Sequence, residues 1–231
     1  MKTVKYPAES RGTGEAGWLH SKFSFSFASY YNPARMHFGA LRVLNDDIIE
    51  PANGFGMHEH DNMEIVTIVT EGILEHKDSE GNGGMLRAGD VQVMSAGSGI
   101  EHSEFNPSDE EPLALFQLWI GTKERDIKPR YDQKTFVFPL NTLVAVASGD
   151  GEDSSLKIHQ DARILVGHFG VGSKHTHTIP SGRGVFALAI EGSFQIAGET
   201  LNRRDALEIT DGHSVTFETP IGGRILLIET V

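Results

Sequence analysis

Two short stretches of this chain carry side chains able to hold a metal ion. The first is Gly54-Phe55-Gly56-Met57-His58-Glu59-His60-Asp61-Asn62-Met63-Glu64, and the second, further along, is Ile100-Glu101-His102-Ser103-Glu104. In an extended strand, residues i and i+2 point to the same face. The spacing therefore projects His58 with His60, and His102 with Glu104, into one interior. Three imidazoles and a carboxylate suit a divalent transition metal. The expected chemistry is that of a metal centre, and the rest of the chain must supply strands to hold it and a pocket around it.

Short apolar and period-two runs supply those strands. Residues 64–70 (Glu-Ile-Val-Thr-Ile-Val-Thr) are rich in β-branched side chains and read as a strand. Residues 72–75 continue after a glycine, and 91–94 and 113–120 read as further strands. The turn chemistry of residues 77–84 predicts a hairpin loop. Many short strands between Gly, Asn and Asp turns predict an all-β sandwich or barrel. Residues 11–18 and 154–160 are the candidates for helical or irregular connections.

The second half repeats the first in outline. His175 and His177 precede an apolar run and then Glu191-Gly192, as His58 and His60 precede one and then Glu71-Gly72. Leu86-Arg87-Ala88-Gly89-Asp90 is echoed by Leu201-Asn202-Arg203-Arg204-Asp205. This pattern predicts an internal duplication. The polar stretch Gly149-Asp150-Gly151-Glu152-Asp153 is a candidate break between the copies. No acid follows His177 at the matching distance and no His-x-Glu follows Asp205, so two ligands remain there. That is too few for a tight site, and a packing role is expected for the second copy.

Composition narrows the classes. The 231 residues include 39% hydrophobic side chains, enough for a large core. There is no Cys, which excludes disulfides, thiolate ligands and a cysteine nucleophile. The net charge of −12 argues against direct nucleic-acid binding. Residues 1–10 lack the apolar core of a secretory signal, and no apolar run approaches the ~20 residues of a membrane span. A cytoplasmic protein without membrane contact is expected.

The motifs resemble those of the cupins. Gly54, His58, His60, Glu64 and Gly72 match the first cupin motif, and Gly89, Ser95-Ala96-Gly97, His102 and Asn106 match the second. Ser95 stands where cupins have proline, the interval from Gly97 to His102 is longer, and Glu104 follows His102 by two. Those departures resemble the pirin branch. So do Gly17-Trp18-Leu19, residues 23–33, Leu41-Arg42-Val43-Leu44-Asn45-Asp46-Asp47, residues 94–100 and Phe116-Gln117-Leu118-Trp119. The resemblance is strong over residues 10–135 and weaker beyond, and it is similar in kind to bacterial pirin-like proteins with quercetin 2,3-dioxygenase activity.

The resemblance implies a bicupin, two jelly-roll β-barrels in tandem. It divides the chain into an N-terminal metal-binding cupin domain, residues 1–135, and a degenerate C-terminal one, residues 136–231. It implies one metal, held by His58, His60, His102 and Glu104, with iron(II) first and copper, manganese, nickel, cobalt or zinc also compatible. It implies cleavage of a flavonol such as quercetin by O2 with release of carbon monoxide, with Glu104 as catalytic base as well as ligand. Glu64 shares the strand parity of His60 and stays open as an alternative ligand or as a carboxylate orienting a histidine. His20, His37, His76, His159, His168 and His213 are read as structural or exposed. Phe25, Phe27, Phe105, Phe116 and Trp119 are candidate walls for a planar phenolic substrate. A monomer is expected. The competing readings are a non-enzymatic, redox-sensitive pirin acting on a protein partner, and a cupin enzyme for another phenol or a keto acid.

Overall fold

The computed structural model describes residues 1–231. Strands dominate, and the only helical elements are single 3-10 turns at Ala8–Ser10 and Glu152–Ser154. No helix is long and apolar enough to cross a membrane. The chain forms two compact units, one from residues 12–136 with 156–160, the other from residues 1–11, 137–155 and 161–231. Each is a jelly roll, so the fold is the expected tandem of two β-barrels.

After β1 (Lys2–Tyr6), the strands of the first unit are β2 (Gly12–Glu15), β3 (Leu19–Phe23), β4 (Leu41–Ile49), β5 (Gly54–His60), β6 (Met63–Glu71), β7 (Ile73–Asp78), β8 (Gly83–Arg87), β9 (Asp90–Ser95), β10 (Ile100–Phe105), β11 (Leu113–Gly121) and β12 (Arg130–Thr135). They form one sheet in the order β12-β9-β6-β11-β4-β3-β2 and a second in the order β5-β10-β7-β8. Alternation along β6 turns Ile65, Thr67 and Val69 inward; along β11 it turns Leu113, Leu115, Gln117 and Trp119 inward. Ile49, Val69, Leu74, Leu86, Leu113 and Leu115 pack as one buried cluster. Ile65, Met94, Ala96 and Ile100 form another, with Trp119 and Tyr131 against it. Each such aliphatic contributes about 1.5–3 kcal/mol on burial. Thr67 and Gln117 occupy the inward positions between the two clusters, so the barrel interior is apolar except for a polar layer at its middle.

The second unit contains β1, β13 (Thr142–Ser148), β15 (Ala162–Phe169), β16 (Ser173–Thr178), β17 (Gly184–Gly192), β18 (Phe194–Ile196), β19 (Glu199–Leu201), β20 (Ala206–Thr210), β21 (Ser214–Thr219) and β22 (Gly223–Thr230), while β14 (Leu156–Lys157) belongs to the first. Its sheets run β1-β20-β17-β22-β15-β13 and β16-β21-β18-β19. The core, with Phe169, Phe194, Phe217 and Leu227 at its centre, is continuous and apolar.

Three sequence expectations are corrected. Residues 11–18 hold a strand, β2, paired with β3 from Gly12↔Phe23 to Glu15↔His20, and not a helical connection. Residues 1–11 do not belong to the N-terminal domain, because Lys2–Tyr6 pairs antiparallel with β20 from Lys2↔Thr210 to Tyr6↔Ala206. The polar stretch from Gly149 to Asp153 lies inside the second unit. It is a tight turn in which Ser148 Oγ accepts from the Gly151 amide and Asp150 Oδ1 from the Glu152 amide.

Candidate metal centre

β5 and β10 lie side by side, with His102 directly opposite His58 and a register shift before Glu104↔Phe55. A close approach makes this possible. At Gly54 a Cβ would collide with the Glu104 carbonyl oxygen, so only glycine lets the two strands meet there. The imidazoles converge as a result. Ring centroids lie 4.4 Å apart for His58 and His102, 4.9 Å for His58 and His60, and 4.9 Å for His60 and His102. The nearest nitrogens of these three side chains all lie within 4.8 Å of one another.

The free lone pairs are the decisive feature. His60 Nε2 and both ring nitrogens of His102 are buried without a hydrogen-bond partner. Buried polar atoms are normally paired, so unpartnered nitrogens on both His60 and His102, beside His58, mark a place for an electrophile. His58 Nδ1 lies 2.7 Å from the Gly56 carbonyl, which can only accept. The proton therefore sits on Nδ1 and leaves Nε2 as a donor to a metal. Burial, and then the neighbouring imidazole of His58, lower His60 to about 4. Burial followed by His58, His60 and His76 lowers His102 to about 2. Both are neutral at physiological pH, as metal ligation requires. The donor set thus fits a divalent transition metal.

A pH dependence of the metal-free protein follows. Below about 6.5, the ordinary imidazole value, an unfolded chain takes up protons that His60 and His102 refuse in the folded state. Stability is therefore fully present above 6.5 and declines as pH falls, with the share of His60 lost by about 4 and that of His102 only near 2. The melting temperature of chelator-treated protein should be lower at about pH 5 than at about pH 7.5. Equal values would show that His60 and His102 are not held neutral.

Glu104 is only 1% exposed and its carboxylate accepts three hydrogen bonds. Thr67 Oγ1 donates to Oε1 at 3.1 Å, Gln92 Nε2 to Oε1 at 2.6 Å, and Gln117 Nε2 to Oε2 at 2.5 Å. Its oxygen also lies in a second group of donor atoms, with His76 and His102, again within 4.8 Å of one another. His102 is common to both groups. Spacing alone missed His76, which was read as structural or exposed. It is fully buried, stacks on Tyr131 with centroids 4.3 Å apart, and has Nδ1 unpartnered. It stands opposite Glu104 in the β7–β10 pairing. Its signal in the sequence is parity along the strand: it alternates inward with Leu74.

Glu64 is excluded from the centre. It lies on β6, across a turn from His60 in which Asn62 adopts φ 45°, so counting by twos from His60 does not carry over. Thr67 faces inward and Glu64 outward, where its Oε2 accepts from Ser95 Oγ at 2.7 Å. Burial raises its pKa against the opposing Ser95 hydrogen bond. Glu64→Gln should leave metal content and metal affinity unchanged. A carboxylate orienting a histidine would instead cost about 10–100-fold in affinity on removal, a difference that a competitive chelator titration resolves.

A cavity of about 390 Å³ opens onto His58 and Glu104. Phe23, Phe27, Phe55 and Trp119 line it, with Asn45, Asp47, Ser21 and Gln117 as its polar wall. Trp119 stands edge-on to His60, with centroids 4.8 Å apart, and edge-on to Phe27 at 5.3 Å. Of the expected aromatic walls, Phe27 and Trp119 line this cavity. Phe25 and Phe116 are core residues and Phe105 points outward, 36% exposed. Phe23 and Phe55 are the walls that the sequence reading missed. Asp47 is buried, and desolvation pushes its carboxyl up to about 7 against a hydrogen bond from Ser21.

In the second unit His175 packs against Phe169 and Phe217, and His177 Nε2 lies 3.5 Å from Glu229 Oε1. No third donor joins them in a metal-sized group.

Comparison with known proteins agrees with this geometry. The pirin family profile matches residues 6–120, and the quercetinase C-terminal cupin domain matches residues 145–230. A protein of Escherichia coli K12 named quercetin 2,3-dioxygenase is 42% identical over 222 residues, 96% of each chain. A pirin-like protein of Caulobacter vibrioides is 39% identical over 96% of this chain and 97% of its own. Among solved structures, Escherichia coli YhhW superposes with a TM-score of 0.97 at 41% identity, covering 100% of this chain and 98% of that one. The bacterial pirin YhhW in complex with nickel(II) gives 0.95 at 41% identity, covering 99% of each chain.

Proposed function

The chain belongs to the pirin family, and from that we propose that it is a metal-dependent dioxygenase opening a flavonol such as quercetin with O2. The observation that carries the proposal is the convergence of three imidazoles, with buried nitrogens of His60 and His102 left unpartnered, beside an aromatic cavity of about 390 Å³ that His58 and Glu104 line. His58, His60 and His102 hold the ion and Glu104 completes the set. A bound iron(II), or nickel(II) as in the related structure, supplies a Lewis acid and a redox partner for dioxygen.

The remaining work falls to this chain's own side chains. Trp119, Phe27, Phe23 and Phe55 offer flat apolar surface to a planar ring system and keep water out. Glu104 is held as an acceptor by Thr67, Gln92 and Gln117. It can take the proton of the flavonol 3-hydroxyl, which makes the substrate electron-rich. The network fixes its position before substrate arrives, so little reorganisation is needed at the moment of transfer.

Oxygen uptake and carbon monoxide release with quercetin, on protein reloaded with iron, nickel, copper, manganese or cobalt, test this reading. One carbon monoxide per O2 consumed is expected with at least one metal. No uptake with any of them sinks it.

A further inference from the structure

The inner face of β4 carries two polar residues that the metal centre does not use. Asn45 and Asp47 stand at i and i+2, so their side chains share a face at a spacing of about 7 Å. Both line the cavity that His58, Glu104 and Trp119 line. They are 5% and 3% exposed, and Asn45 Oδ1 and Asp47 Oδ1 have no hydrogen-bond partner. Both interrupt an otherwise apolar inward row that runs from Leu41 and Val43 to Ile49.

The neighbouring strands do not supply the missing donors. Asn45 stands opposite Phe23 on one side and Gln117 on the other. Phe23 has no donor, and Gln117 donates through Nε2 to Glu104 and accepts from Trp119 through its carbonyl, leaving Asn45 Oδ1 unpartnered. Asp47 stands opposite Ser21 and Leu115. Ser21 has a single hydroxyl proton, which it gives to the Asp47 carboxyl, and Leu115 has none. Native chains keep few buried acceptors unpaired, and those they keep call for an explanation. Here the one remaining source of donors is a molecule in the cavity.

We infer that Asn45 and Asp47 are specificity residues that accept hydrogen bonds from two hydroxyl groups of a polyhydroxylated aromatic substrate. The inference rests on the flavonol reading above and narrows it: the ring system must carry hydroxyls besides the one that meets Glu104. An analogue without them leaves both acceptors buried and unpaired, and a site built to bond a hydroxyl rejects such an analogue strongly.

The test is equilibrium binding to the nickel-loaded holoprotein without oxygen, read by tryptophan fluorescence or calorimetry, so that turnover plays no part. The probes are quercetin and 3-hydroxyflavone, which keeps the 3-hydroxyl and 4-carbonyl and lacks the other hydroxyls. The wild-type chain should bind quercetin more tightly. Asp47→Leu and Asn45→Leu should each weaken quercetin by about 10–100-fold and leave 3-hydroxyflavone unchanged. Asp47→Asn keeps a side-chain oxygen and the volume, and should retain most of the preference. That variant also serves if Asp47→Leu does not fold. A wild-type chain that binds both equally, or leucine variants that keep the wild-type ratio, overturn the inference while the flavonol reading stands. If neither probe binds, both fall together.

Discussion

Exchange of His102 for alanine is expected to abolish metal binding without unfolding the chain. His102 belongs to both groups of donor atoms, so no arrangement of the remaining residues replaces it. In the metal-free state its ring makes no hydrogen bond through either nitrogen. Removing it leaves a small cavity and also removes two buried, unpaired polar atoms, and these effects oppose each other. The apo melting temperature should therefore change little. The contrast appears on adding metal. An ion at about 1,000 times its Kd stabilises the native state by about 4 kcal/mol. For a chain of this size that is roughly 8–16 °C in melting temperature. Wild-type protein should show that rise, and the variant a flat response with near-zero bound metal by elemental analysis. A variant that retains metal, or an apo variant that is unfolded at room temperature, would defeat the assignment.

The difference between legible and illegible features follows from how local their causes are. The pairs His58/His60 and His102/Glu104 could be read because strand parity is a property of adjacent residues. β6 could be read from its β-branched run, and β9 and β11 from short apolar runs, for the same reason. β1 could not, since its partner β20 is some 200 residues away and nothing in Lys2–Tyr6 names it. His76 was missed because parity with Leu74 says only that it points inward, while its place beside Glu104 comes from the pairing of β7 with β10. Glu64 stays open in the sequence because parity is counted across Asn62, whose left-handed backbone lies between one strand and the next. Phe116 was within reach: it alternates with Trp119 by an odd number, so the two cannot line the same wall. Asn45 and Asp47 sat inside a motif that spoke for the family, and only the structure shows their acceptors left open toward a cavity wall.

The hydrogen-bond network around Glu104 has a direction, and that direction makes the second large prediction. Trp119 Nε1 can only donate, and it lies 3.0 Å from Gln117 Oε1. This fixes the Gln117 amide, so its Nε2 must point at Glu104 Oε2. Thr67 and Gln92 aim donors at the other oxygen. Glu104→Gln replaces one acceptor with an NH2 group facing these donors. Turnover should fall by about 10²–10⁴-fold, the usual contribution of a positioned base. Folding stability should fall by about 1–3 kcal/mol, since a buried donor then faces a donor. Gln117 could relieve the conflict by turning its amide over, but its NH2 would then meet the Trp119 N–H. Trp119→Phe removes that N–H. The double variant Glu104→Gln/Trp119→Phe should therefore be more stable than the two single losses predict, by at least about 0.5 kcal/mol of coupling. Turnover stays lost, because the base is still absent. Stability losses that add within about 0.3–0.5 kcal/mol would mean that Gln117 is not oriented by Trp119. Recovery of turnover in the double variant would mean that Glu104 acts by placing the network and not by accepting a proton.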